Sequence, residues 1–179
     1  MNARILPRLL LPLLYTLFLV HLSWTAGQLP ERVASHFNRA GEPNGWMSRA
    51  NHLRFMAAFG TGLPLFLVAV GLLLPLLPAR LINIPNREHW LGPERRRETG
   101  RALCTACLWL ACLGAGFVTG LNALLSDANV RQPPFLPTAQ LLLVVGLFLL
   151  GLAGWMVALL RRFRLPKAEG PPGADSSNV

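Results

Sequence analysis

The chain has 179 residues, 53% of them hydrophobic and 14% charged, with a net charge of +9 from 17 Lys+Arg against 8 Asp+Glu. A soluble domain of this length carries about 25% charged residues, so the composition excludes an ordinary soluble fold and leaves no length for a second soluble domain. A basic balance can signal nucleic acid, but here the basic residues flank apolar runs, which assigns them to anchoring helices in a lipid bilayer and excludes nucleic-acid binding.

The apolar runs cover residues 9–29, 54–78, 102–126 and 138–160, and apart from the flanking Arg54 they contain no Asp, Glu, Lys or Arg. A helix of about 20 residues spans a hydrocarbon core of about 30 Å. Lipid offers no partner for a free backbone N–H or C=O, so each run is expected to be helical. The predicted fold is all-α: an integral membrane four-helix bundle with short loops, forming a membrane domain over 1–165. The segment 166–179, PKAEGPPGADSSNV, lacks apolar residues to bury and is expected to be a disordered cytoplasmic tail.

The first span is expected to start near Arg8, with Pro12 close to its start, and to end before Pro30. Arg4, Arg8 and Thr25-Ala26-Gly27 imitate a signal peptide, but the apolar stretch exceeds the roughly 7–15 residues of a signal core, which predicts a retained anchor. His21 is the only histidine inside a span, and Trp24 marks the interface beside it, so it is expected to be a neutral, interfacial or bundle-facing residue.

The connector Pro30–His52 is the most distinctive segment. Val33 and Phe37, four residues apart, suit one helical turn or a packed irregular stretch. Gly41-Glu42-Pro43-Asn44-Gly45 predicts a turn in which Pro43 pre-sets φ and Gly45 takes φ > 0. Ser48 is expected to cap the helix that runs into the second span. That span contains Pro64, predicting a kink, and is closed by Pro75 and Pro78.

The connector 79–101 carries Arg80, Arg87, Arg95, Arg96, Arg97 and Arg101, and Pro93-Glu94 is expected to open the next helix. In the third span Gly116-x-x-x-Gly120 permits close helix approach, inside the bundle or between copies of the chain, and Asn122 offers a bond across helices. With four spans, twelve basic residues fall on the side of the termini and five on the other. The positive-inside rule then places both termini and 79–101 in the cytoplasm, and 30–53 and 127–137 outside.

Few residues suggest chemistry. Cys104-x-x-Cys107 lies in an apolar span with no second ligand pair, so packing is expected rather than metal or redox work. His36, Glu42 and His52 share one connector without a compact zinc spacing. No nucleophile-elbow, zincin or phosphate-loop motif occurs. The spans lack the carboxylates that proton-coupled transporters place at membrane depth. No enzyme, cofactor or metal is expected.

Pro30, Val33, His36, Phe37, Asn38, Gly41, Pro43, Asn44 and Trp46 follow a pattern P-x-x-(I/V)-x-x-HF-(N/D)-x-x-G-x-(P/A)-(D/N)-x-W. This resembles a bacterial integral-membrane domain of unknown function that also occurs in SdpI-type immunity proteins. The inner run INIPNREHWLGPERR is similar to a segment of family members of this size. The resemblance implies a protein of the bacterial cytoplasmic membrane. For the immunity proteins, which are longer and have additional spans, it further implies protection against a secreted toxic peptide.

The expected role is binding or sensing at the outer loop 30–53, possible immunity-like protection included. His36, Phe37, Asn38, Gly41, Asn44 and Trp46 would form the ligand platform, with a secreted peptide or another membrane protein as partner. The alternative is a subunit of a membrane transporter or permease.

Overall fold

The computed structural model describes residues 5–165; the tail 166–179 lies outside the described residues. Its elements are α1 (Leu6–Ala26), β1 (Arg32–Phe37), β2 (Pro43–Ser48), α2 (Arg49–Leu73), a short α3 (Arg87–Trp90), α4 (Arg96–Val130) and α5 (Thr138–Arg162). Four helices are long and apolar enough to cross a membrane. The all-α four-helix bundle is therefore present, with one small two-stranded sheet set into its first connector.

The helix limits differ from the apolar runs for a physical reason. Hydropathy locates the stretch that tolerates lipid, whereas a helix continues wherever its backbone bonds are met. At 35 residues, α4 is about 52 Å long, well beyond the hydrocarbon thickness. Its first turns carry Arg96, Arg97 and Glu98, and its last turn is closed by an Arg131–Asp127 pair at i,i+4 spacing. Pro64 lies within α2, which passes into a 3-10 turn at Leu74–Leu76 around Pro75.

α4 is the axis of the bundle. It packs against α1, α2 and α5, and fourteen of its residues are buried, whereas α5 buries none. Close approach is set by small residues. A Cβ on Gly71 would lie 2.7 Å from the Cys107 Cβ, and one on Gly151 would lie 2.7 Å from a Leu113 methyl. Cys107 is thus a packing residue against α2. A Cβ on Gly120 would lie 3.6 Å from Val144 of α5, while Gly116 is exposed and a Cβ there would meet nothing within 4 Å.

The bundle has two dissimilar ends. At one, Ile82, Ile84, Trp90, Leu91, Leu103 and Phe163 form a compact apolar cluster. Trp90 Nε1 and Asn86 Nδ2 both donate to the Phe163 carbonyl at 2.9 Å, and Thr99 Oγ1 donates to the Trp90 carbonyl at 2.6 Å. These bonds tie the arginine-rich connector to the end of α5. At the other end the hairpin meets the segment 131–137. Between them, Phe18, Leu22, Met56 and Val118 form the apolar centre of α1, α2 and α4.

Candidate functional site at the hairpin

The connector between α1 and α2 is a β-hairpin, which corrects the expectation of a helical turn or a packed irregular stretch around Val33 and Phe37. β1 and β2 run antiparallel, pairing Arg32 with Ser48, Val33 with Met47, Ala34 with Trp46, His36 with Gly45 and Phe37 with Pro43. The register skips Ser35 and Asn44, and such bulges bend the tip of a hairpin. The turn also differs from the expectation: the positive φ is at Gly41, at +85°, and not at Gly45. Asn38 organises that turn. Its Oδ1 accepts from the N–H groups of Ala40 at 2.9 Å and Glu42 at 3.0 Å, and its Nδ2 donates to the Glu42 carboxylate at 2.9 Å. A side chain at Gly41 would collide with the Leu136 carbonyl and the Phe135 ring, so only glycine fits there.

The hairpin is fixed to the bundle on three sides. Asn129, near the end of α4 and 2% exposed, behaves like a strand edge: its Oδ1 accepts from Ala34 N–H at 2.6 Å and its Nδ2 donates to Ala34 C=O at 3.1 Å. Leu136 N–H donates to Gly41 C=O at 2.9 Å, and Thr138 Oγ1 donates to Arg39 C=O at 3.2 Å. At the base, Arg49 N–H donates to Glu31 C=O at 2.9 Å and its Nη1 to Leu29 C=O at 3.0 Å. Val33, Ala34 and Leu29 are buried, and Phe37 packs against Leu124, Ala128 and Leu136. As expected, Ser48 caps α2, its Oγ accepting from Asn51 N–H at 3.2 Å.

The six residues expected to form a platform therefore divide. Phe37 is half-buried in the docking core, and Asn38 and Gly41 build the turn. His36, Asn44 and Trp46 are exposed. The His36 ring lies across Gly45, where a Cβ would sit 2.9 Å from its Cδ2. Arg32 adds a residue that the sequence did not single out: its guanidinium sits 5.8 Å above the Trp46 ring. His36, Asn44, Trp46 and Arg32 together present a cation, an aromatic face and hydrogen-bonding groups on a pinned backbone.

Beneath the hairpin lies a polar layer. Asn122, fully buried on α4, bonds through Nδ2 to His21 Nδ1 on α1 at 2.9 Å, realising the bond across helices expected of Asn122. His52 stands one turn from Met56 toward the hairpin, and Ser126 one turn beyond Asn122. Among the described residues, His52 Nε2, Asn122 Oδ1 and Ser126 Oγ are buried without a protein partner. His52 lies inside the bundle while His36 and Glu42 are on the exposed hairpin, so these three do not converge. Asn129 and Ser126 were legible in principle: Asn122, Ser126 and Asn129 repeat at four and three residues, the spacing of one helix face.

A family model for a domain of unknown function (DUF1648) matches residues 9–61. That segment comprises most of α1, the whole hairpin and the first half of α2. No curated protein and no solved structure matches the chain.

Proposed function

We propose that this is a multi-pass protein of the bacterial cytoplasmic membrane that binds a secreted peptide at its outer surface through the hairpin, in an immunity-like role. The observation that carries this reading is the division within the hairpin. Its backbone is pinned by Asn129, Leu136 and Arg49, yet Arg32, His36, Asn44 and Trp46 stay exposed. A pre-ordered edge with an exposed aromatic is the arrangement in which binding loses least conformational entropy. The orientation rests on charge: the hairpin lies on the side with five basic residues and the connector 79–101 on the side with twelve, including both termini.

Binding is favoured over catalysis because the hairpin residues it rests on, Arg32, His36, Asn44 and Trp46, include no nucleophile paired with a base. The transporter-subunit reading draws on the polar layer around Asn122. Directly below that layer, however, Phe18, Met56 and Val118 are 1%, 2% and 0% exposed, an apolar plug that favours a closed bundle.

The test compares a deletion strain with strains expressing the wild type or a Trp46→Ala, His36→Ala variant, each challenged with a panel of secreted antimicrobial peptides. The wild type is expected to protect against at least one peptide. Because hot-spot aromatics contribute about 2 kcal/mol, the variant should lose roughly 30-fold in protective potency at an unchanged membrane level. Equal protection by the variant, or no protection by the wild type across the panel, contradicts the reading.

A further inference from the structure

We infer a binding site for one anionic phospholipid at the arginine-rich end of the bundle, between the end of α2 and the start of α4. A cavity of about 540 Å³ is lined there by residues that include Leu72, Pro75, Arg96, Arg97, Arg101 and Cys104, with Gly71 and Gly100 beside them. Its shape follows from backbone approach. A Cβ on Gly71 would meet Cys107 at 2.7 Å and one on Gly100 would meet Pro75 at 2.9 Å, so the end of α2 and the start of α4 are in close contact beside the cavity.

Three arginines line this cavity and no acidic residue does. Two neighbouring arginines are committed elsewhere. Arg95 lies 5.6 Å over the Trp90 ring, and Arg162 pairs with Glu98 and covers the same ring at 5.1 Å. Arg96 reaches inward and donates through Nη2 to the Leu77 carbonyl at 2.8 Å, which holds its guanidinium at the cavity wall. Arg97 and Arg101 stand one turn apart on α4, are exposed, and have no carboxylate partner among the described residues. Like charges at i,i+4 repel, and a phosphate between them converts that repulsion into two charge-assisted forks.

The remaining wall identifies the source of the phosphate. Leu72 and Cys104 belong to helices long and apolar enough to cross a membrane, so the cavity opens from the charged rim onto the hydrocarbon face. A phosphate placed between Arg97 and Arg101 leaves its acyl chains running along Leu72, whereas a free phosphate would leave that wall uncovered. Basic pockets between membrane helices are suited to anionic headgroups in this way.

The experiment is native mass spectrometry of the full chain in detergent, titrated with phosphatidylglycerol or with phosphatidylcholine of identical chains. The wild type is expected to retain one phosphatidylglycerol with about tenfold preference over phosphatidylcholine. The Arg97→Gln, Arg101→Gln variant should lose the preference, while Arg161→Gln, Arg164→Gln, which removes the same charge elsewhere, should keep it. Thermal unfolding of the same samples checks that both variants fold, since all four positions are exposed. Equal retention of the two lipids by the wild type overturns the inference, as does an equal loss in both variants, which would mean a diffuse charge effect. Displacement of the lipid by millimolar inorganic phosphate would also overturn it, assigning the site to a soluble anion.

Discussion

Asn129→Ala is expected to release the hairpin from the bundle. The Asn129 amide supplies both partners of Ala34, whose N–H and C=O are buried at 1% exposure. Alanine leaves both groups without a bond, and each orphaned buried group costs about 1–3 kcal/mol, so the docked hairpin loses about 3 kcal/mol. The loss is local, because the α1–α2–α4 core around Phe18 and Val118 does not involve Asn129. Amide exchange at Val33 and Ala34 in micelles should accelerate by about 100-fold, the exchange counterpart of that energy, while amides in the middle of α4 stay protected. Asn129→Asp keeps an acceptor for Ala34 N–H but sets a carboxylate against Ala34 C=O, so it should fail as well. Unchanged protection of Ala34 in the alanine variant would show that the clamp does not hold the hairpin.

Gly60→Ala should destabilise the membrane core itself. A Cβ at Gly60 would overlap the Phe18 ring, which is 1% exposed and clusters with Leu22, Met56 and Val118. The ring is buried in this cluster, so this is overpacking at a cost of about 1–3 kcal/mol, offset by at most about 1 kcal/mol of helix propensity. Gly62→Ala provides the contrast: nothing lies within 4 Å of its Cβ position, and the same propensity gain should leave stability unchanged or slightly raised. Phe18→Leu combined with Gly60→Ala should recover part of the loss, and a double-mutant cycle on thermal unfolding in micelles reads that coupling. Equal melting temperatures for Gly60→Ala and the wild type would mean that α1 does not pack against α2 at this point.

The two variants probe parts of the molecule that were unequally legible in the sequence. The spans were plain, because an uncharged stretch of this length has few alternatives in lipid, and Ser48 carried a readable cap signal. The start of α4 was readable within a few residues at Pro93-Glu94, but its other end was not, since Asp127 ends the apolar run without ending the helix. The hairpin was hidden for two reasons. Val33 and Ala34 are adjacent yet both buried, and a bulge follows at Ser35, so the strand lacks the alternation that marks one in sequence. The outer edge of β1 is also satisfied by a side chain 95 residues away, a pairing no local pattern contains. The turn glycine was misplaced for a related reason: Gly41 is fixed by contact with Leu136 and Phe135 across the fold, while Gly45 merely has the right neighbours. Within the connector the sequence could not separate Asn38, Gly41 and Phe37, which build the hairpin, from His36, Asn44 and Trp46, which lie exposed on it.

The central claim is that the bundle crosses the bilayer and displays this hairpin on the extracytoplasmic face, opposite the arginine-rich connector. Single cysteines at Asn44→Cys and Arg87→Cys, both exposed positions, in a background with Cys104, Cys107 and Cys112 changed to alanine, allow a direct measurement with a membrane-impermeant maleimide. The account predicts that the cysteine at position 44 labels in intact cells and the one at 87 only after permeabilisation. Labelling at 87 in intact cells with protection at 44, or equal labelling of both, would contradict it.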